Sequence, residues 1–458
     1  MPDLGPAKSF YLLSLGCPKN EVDAECMSAL LKAEGFVFER EPSRADYLVV
    51  NTCAFIQPAA EEAIDAILDL ARHKSAGGGK KYLVVTGCLA QRYGGDICRE
   101  MPEVDAVLGT GEYKEIARVL RRLGRGDDLS RHAPGSPGDL SHLCCERIPS
   151  AARGTYAYVK IAEGCSNACS YCAIPSIRGR QRSREPQAII DECGRLVEQG
   201  VKELILVAQD TTRYGNDLPS RPTLAELLRD LSVHVPKAEL IRCLYFYADR
   251  LTDALIGEMA VNPKAAHYLD LPIQHASDRV LKRMRRHETA AVIESRIARV
   301  REWIPDVILR TTVMVGFPGE TDEDFEKLLD FIGKIRFDRL GCFVFYPEEG
   351  TRAAELPDQV PAEIARARRE AVMKLQQQIS LERNRARIGQ EIPVLLEGFD
   401  ERGILFQGRS YGEAPDIDPV LYVAATSPDF CVGSRPVVRI VDAGVYDLTG
   451  VTVDEYRE

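Results

Sequence analysis

The sequence predicts an α/β protein in three parts: an N-terminal parallel-sheet domain, a central partial (βα)6 barrel and a small all-β C-terminal barrel. Three observations carry this. Short apolar runs alternate with helix-period stretches over residues 8–123 and again over 154–387. A stretch rich in Gly, Pro, Ser, Asp and Arg at 124–153 separates the two and reads as a linker. From 388 to 458 the apolar runs are short, punctuated by Gly and Pro, with no helical stretch between them.

In the first part, strand-like runs at 11–15, 47–50 and 82–85 are each followed by a helical pattern. The first helix ends near Gly35 and the second opens at Pro58, a residue suited to the first helical turn. Strands alternating with helices imply a parallel sheet covered on its faces. The second part repeats the alternation six times, with strands at 156–161, 203–208, 240–244, 267–271, 307–315 and 339–345. Its helices include 186–199, with Ile189, Ile190, Cys193, Leu196 and Val197 at helical spacing and Gly200 as the stop. Another opens at Thr321, whose partner three residues on, Asp324, makes a capping-box pattern. A polar helix at 361–387 ends the barrel. The third part reads as strands at 394–396, 404–407, 421–424, 437–441 and 447–453.

The composition, 45% hydrophobic and 28% charged over 458 residues, is that of a globular chain with more than one core. The net charge of −10 sets up a field that repels phosphate, so strong nucleic-acid binding is not expected. Residues 1–8 carry no apolar signal stretch, and no run is long enough to span a bilayer, so the expected location is the cytoplasm. Fourteen cysteines in a reducing compartment argue for metal ligands or buried thiols, not disulfides.

Cys165, Cys169 and Cys172 form a C-x3-C-x2-C motif just after the first strand of the barrel. Three thiolates this compact can hold three irons of a cubane cluster and leave the fourth iron open. A small molecule with an amino and a carboxylate group, such as S-adenosylmethionine (SAM), can chelate that iron. The competing reading is structural zinc, which wants four ligands where the loop has three. Gln209, Asp210 and Gln274 follow strands and are candidates to line a SAM pocket. The turn Gly316-Phe317-Pro318-Gly319-Glu320 falls near the same mouth. His275 reads as a structural histidine.

Cys17, Cys53 and Cys88 each come just after a predicted parallel strand, at near-equal intervals. Neighbouring parallel strands put these ends on one edge of the sheet, so the three thiols converge in space. Three separate buried core cysteines are the alternative. Cys26, Cys98, Cys193, Cys243, Cys342 and Cys431 lack paired spacing and read as ordinary thiols. Cys144 and Cys145, in the linker, read as bystanders.

The triplet at Cys165, with Tyr171 before its last cysteine, resembles the radical SAM signature, and the repeated βα units resemble that superfamily's partial barrel. The order of a three-cysteine α/β domain, a radical SAM domain and a small β domain similar to a TRAM domain resembles the methylthiotransferase family over nearly the whole chain. Two branches of that family are relevant. One modifies an adenosine of tRNA; the other modifies an aspartate of small-subunit ribosomal protein number twelve. The chain resembles the second branch in Gly16-Cys17-Pro18-Lys19-Asn20, Asn51-Thr52-Cys53-Ala54-Phe55-Ile56, Ile174-Pro175-Ser176-Ile177-Arg178-Gly179 and Gln209-Asp210-Thr211-Thr212-Arg213-Tyr214-Gly215. Ala24 and Ala54 stand where that branch often has Ser and Gly.

The resemblance implies two [4Fe-4S] clusters, one on each cysteine set, and two SAM molecules. One SAM methylates a sulfur held at the Cys17/Cys53/Cys88 cluster. The other yields a 5′-deoxyadenosyl radical that takes hydrogen from the aspartate β-carbon. The implied partner is ribosomal protein number twelve, free or on the ribosome; no feature points to a particular electron donor. The third part holds thirteen Asp and Glu, five Arg and no Lys, a net of −8, which suits a basic protein better than RNA. A tRNA adenosine methylthiotransferase and a zinc-stabilised, non-enzymatic translation adaptor are the two competing functions.

Overall fold

The computed structural model describes residues 8–74, 80–129, 134–138, 140–144, 146–147, 154–425 and 429–453. Cys145, in the linker, lies outside them.

The N-terminal unit is a five-stranded sheet of β1 (Ser9–Ser14), β2 (Val37–Phe38), β3 (Tyr47–Thr52), β4 (Tyr82–Gly87) and β5 (Ala106–Leu108), in the order β2-β1-β3-β4-β5. Every pairing is parallel. Between the strands run α1 (Pro18–Ala33), α2 (Gln57–Arg72) and α3 (Cys88–Glu100), and α4 (Ile116–Gly124) follows. β3 and β4 are buried along their whole length because helices cover both faces. Alternate residues serve the two cores. Tyr47, Val49 and Val84 pack with Met27 and Leu120, whereas Leu48, Val50 and Val85 pack with Ile67 and Leu89. The short edge strands β2 and β5 were not foreseen from the sequence, since two or three residues show no periodicity.

The central unit holds β6 (Tyr156–Lys160), a small hairpin of β7 (Ala162–Glu163) and β8 (Arg182–Ser183), and then β9 (Glu203–Val207), β10 (Leu240–Cys243), β11 (Tyr268–Asp270), β12 (Ile308–Val315) and β13 (Arg339–Val344). Its helices are α5 (Ile174–Arg178), α6 (Pro186–Glu198), α7 (Leu224–His234), α8 (Asp253–Val261), α9 (Asp278–Arg283), α10 (Ala290–Trp303), α11 (Asp322–Ile335) and α12 (Ala362–Arg385). Thr321 and Asp324 cap α11 reciprocally, as the sequence pattern predicts. Two three-stranded parallel ladders, β6-β9-β10 and β11-β12-β13, meet through a bridge between Ile241 and Ala265. Among the described residues no ladder joins β13 to β6, so the barrel is open.

Two other units fill it. Val22 and Cys26 of α1 pack against Tyr156 and Tyr158 on the inner face of β6. The base is covered by residues 410–418 of the C-terminal unit, whose Ala414 joins the same apolar cluster. That unit is a six-stranded curled sheet of β14 (Glu391–Pro393), β15 (Leu395–Phe399), β16 (Phe406–Arg409), β17 (Leu421–Ala424), β18 (Val437–Ala443) and β19 (Leu448–Thr452), in the order β14-β18-β19-β17-β16-β15. Its core is Val394, Leu396, Leu421, Val423, Val438 and Ile440.

Docking at the base is polar and buried. Glu203 of β9 pairs with Arg242 of β10 at 2.7 Å and with Arg409 of β16 at 2.7 Å. The Tyr268 hydroxyl donates to Asp418 at 2.6 Å, and the Tyr158 hydroxyl to the Pro415 carbonyl at 3.2 Å. Glu413 pairs with Arg387 at 2.8 Å, and Arg409 with Glu397 at 2.6 Å. Glu397, Glu413, Asp416 and Asp418 serve contacts inside the protein, so the C-terminal unit presents less acid outward than its net charge suggests.

Replacing Glu203 with Gln leaves Arg242 and Arg409 short of their shared carboxylate inside the protein. The expected loss is about 3–5 kcal/mol, read as a lower urea midpoint and faster protease cleavage between barrel and C-terminal unit.

Candidate active site

The strand register brings the dispersed cysteines together. Ser14 of β1 lies opposite Asn51 of β3, and Thr52 of β3 lies opposite Gly87 of β4. Cys53 and Cys88 are therefore the next residues after a cross-strand pair. Cys17 caps the start of α1, and Cys88 is the first residue of α3. The glycine before each of these two has a φ that L side chains rarely adopt, +92° at Gly16 and +98° at Gly87. A Cβ on Gly16 would stand 2.6 Å from the Cys53 Cβ, and one on Gly87 2.5 Å from the Thr52 carbonyl oxygen. Only glycine lets the chain pass this close.

Asn20 clasps the three loops. Its side-chain amide donates to the Leu15 and Thr52 carbonyls, each at 2.9 Å, and its backbone carbonyl accepts from Asn51 Nδ2 at 2.7 Å. The Cys88 thiol donates to Asn20 Oδ1 at 3.7 Å. Burial pushes the Cys88 thiol up to about 12, with Cys17 and Cys53 adding to the rise and Arg178 opposing it. Cys17 differs. Burial works against its ionisation, but Lys19, Arg178 and the backbone N–H groups of Asn20 and Lys19 outweigh that and hold it below its ordinary value.

The second set lies on the loop between β7 and α5. Asn167 N–H donates to Cys165 Sγ at 3.4 Å, and Ile174 N–H to Cys172 Sγ at 3.5 Å. Burial raises Cys165 to about 11 and Cys172 to about 12. Asp210 grips this loop, accepting from Asn167 Nδ2 at 2.8 Å, from Thr212 and from Arg250 at 3.0 Å. Gln209 donates to Glu163 Oε1 at 3.0 Å. Gln274 stands on the other half of the barrel, with φ +66° and its backbone bridged to β12. The sequence-predicted trio therefore divides into two residues beside the cysteine loop and one across the mouth. Phe317 of the Gly316–Glu320 turn stacks edge-on against Tyr171 at 6.5 Å, which places that turn at the same loop.

The two cysteine sets face each other. Cys88 packs directly on Ala173 and Ile177, and Ala173 follows Cys172 in the chain. A buried ion network holds the faces together, and the sequence reading missed it. Asp23 of α1 takes Lys160 and Arg178, at 3.1 Å for the latter, and Glu163 takes the same two cations at 2.6 and 2.7 Å. His142 lies 3.0 Å from Asp23. Arg178 reaches on to Asn20. Burial alone would lift the Glu163 carboxyl, yet Arg178 and Lys160 hold it well below the usual carboxylate range. A lysine inside the apolar strand 156–161 was the available signal, but it does not name a partner from another unit.

Among the described residues no three His, Cys, Asp or Glu side chains close on a single ion. Cubane thiolates bind separate irons, so they stand further apart than the ligands of one zinc. Two convergent sets of three thiols fit such clusters.

Comparison with known proteins agrees. Residues 9–109 match the uncharacterized protein family UPF0004, 159–332 the radical SAM superfamily and 388–453 the TRAM domain. A relative from Trichlorobacter lovleyi is 46% identical over 97% of this chain and 98% of its own length. Another from Geobacter sulfurreducens is 47% identical over 96% and 97%. Both are named ribosomal protein uS12 methylthiotransferase RimO. The chain belongs to the RimO family. It is a radical SAM methylthiotransferase whose cofactors are two [4Fe-4S] clusters and SAM. Solved structures share the fold at low identity. The radical SAM methyltransferase TsrM from Kitasatospora setae aligns with a TM-score of 0.55 at 13% identity over 76% of this chain and 77% of its own. The cobalamin-dependent radical enzyme OxsB aligns at 0.51 and 13% over 80% and 56%. Among the described residues no helix of this RimO member is long and apolar enough to cross a membrane.

Substituting Ala at Gly16 or Gly87 should displace the Cys17, Cys53 and Cys88 loops. The expected iron content after anaerobic reconstitution falls from about eight to about four per chain.

His275 supplies a pH test. Its Nδ1 accepts from Ser277 N–H at 2.9 Å, and burial pushes it down to about 4. The unfolded chain takes a proton near pH 6.5 and the folded chain only near 4. Its contribution is thus fully present above about 6.5 and lost as pH falls towards 4. A His275→Gln variant should flatten the stability–pH curve in that window, as measured by denaturant titration.

Proposed function

We propose that this chain adds a methylthio group to the β-carbon of an aspartate in small-subunit ribosomal protein uS12, working in the cytoplasm on the free protein or the ribosome. Cys165, Cys169 and Cys172 are assigned to the SAM-binding cluster, and Cys17, Cys53 and Cys88 to the cluster that carries the transferred sulfur. The observation that supports this most is the packing of Cys88 on the residues just after Cys172, in a chain so close to RimO relatives. Three units, 8–123, 154–387 and 388–458, divide the work, with 124–153 between the first two.

When bound, the clusters and SAM supply the electron, the radical chemistry and the sulfur. The chain's own residues supply position. Asp210 holds Asn167 and so the Cys165–Cys169 turn, and Gln209 braces Glu163 ahead of Cys165. Asn20 and Arg178 set the opposing thiols. Gln209, Asp210 and Gln274 are proposed to border SAM, with the carboxylate of Asp210 acting through Asn167. The packed lumen below, filled by Tyr156, Tyr158 and Tyr268, closes the barrel to water from its base.

Mass spectrometry of uS12 from a strain lacking this gene should show loss of one methylthio group, restored by the wild-type gene. A Cys17→Ala variant should still cleave SAM but fail to restore the modification. Loss of methylthioadenosine from tRNA with uS12 unchanged would overturn the assignment.

A further inference from the structure

Buried and half-buried cations around the barrel lumen pair with carboxylates, and Lys19 does not. Lys160 and Arg178 are held by Asp23 and Glu163, Arg250 by Asp210 and Arg310 by Asp270. Lys19 is only 9% exposed. Yet among the described residues no carboxylate lies within 4.0 Å of its ammonium. Its contacts are the Ala208 carbonyl at 3.4 Å and the face of the Tyr245 ring at 3.7 Å. Its nearby anionic partner is the Cys17 sulfur, with Glu163 further off, so its donors are not taken up by a carboxylate and remain open to a ligand.

The place of this charge is specific. Lys19 belongs to the first turn of α1, two residues after Cys17. Its side chain crosses from the N-terminal unit to the barrel and ends where β9 and β10 end, at Ala208 and Tyr245. Tyr245 is held in the left-handed region at φ +65°. Its N–H donates to Asp270 Oδ2 at 3.0 Å, and its carbonyl accepts from Thr211 N–H at 3.1 Å. Strain of this kind persists where surrounding contacts enforce it, and here it seats a ring beneath the ammonium.

We propose that Lys19 is the substrate-binding residue for the side-chain carboxylate of the target aspartate. This rests on the functional reading above. The ammonium offers one positive charge and a fixed donor direction in a mouth flanked by both cysteine sets. A carboxylate paired with it carries its adjacent β-carbon into the space those sets share. SAM also bears a carboxylate, but Lys19 belongs to the Cys17 loop and helix, not to the Cys165 loop. An ion pair here also accounts for selection of aspartate over asparagine, because a neutral amide cannot form it.

The test uses the reconstituted holoenzyme and intact uS12 in two forms, wild type and with the target aspartate changed to Asn. Binding is measured by calorimetry, and SAM affinity separately. We expect the Asn form to bind the wild-type enzyme at least about thirtyfold more weakly. Lys19→Met should weaken binding of the Asp form by a similar factor while leaving the Asn form and SAM unaffected, and Lys19→Arg should recover part of it. Equal binding of the two uS12 forms to wild-type enzyme overturns the role of Lys19 and leaves the substrate assignment standing. So does an equal loss for both forms in Lys19→Met, or a loss confined to SAM. Absence of binding by either form to wild-type enzyme overturns the substrate assignment and the lysine's role with it.

Discussion

The arrangement depends on one buried ion network. Asp23 and Glu163 share Lys160 and Arg178 at the seam between the N-terminal sheet domain and the barrel. Taking four charges out of water is expensive, and a well-packed apolar seam of the same size would be at least as stable. What the ions add is geometry. Each carboxylate accepts from both cations, so a shift of α1 relative to β6 breaks several bonds at once. Removing one member strands the others, which makes the interface all-or-none. Asn20 extends the network to the carbonyls of the cysteine loops, so the seam and the loops form one hydrogen-bonded unit.

That rigidity matters because the two cysteine sets belong to separate folding units. A sulfur held on one must reach a carbon activated at the other, and a displacement of about 1 Å can cost a hundredfold in rate. Direct packing of Cys88 on Ala173 and Ile177 gives the interface an apolar stop. The charges fix its lateral register. Two other units complete the barrel: α1 packs on β6 and residues 410–418 cover the base.

The C-terminal unit uses part of its acidic charge inside the protein. Of its thirteen acidic residues, most of the described ones lie away from the barrel base. Four pair instead with arginines and tyrosines at the barrel base, where Glu203, Arg242 and Arg409 form the central triad. A formal charge records how many carboxylates a segment carries, not which direction they face. Its bearing on the substrate is correspondingly weaker than the family relationship.

Much was legible in the sequence because it is local. The alternating runs at 47–50 and 82–85 could only be buried parallel strands, the Thr321–Asp324 pattern could only open a helix, and the compact cysteine triplet carried its chemistry in eight residues. Convergence of Cys17, Cys53 and Cys88 was inferable from strand direction, since parallel neighbours align their ends. Lys19, Asn20 and Arg178 were visible only as members of family-like segments. Their roles depend on partners from other loops and units, from Leu15 and Thr52 for Asn20 to Ala208 for Lys19. By itself the sequence determined period, turn and thiol spacing. The tertiary structure alone decided which charges meet, because Coulomb energy and desolvation follow distance through space and not distance along the chain.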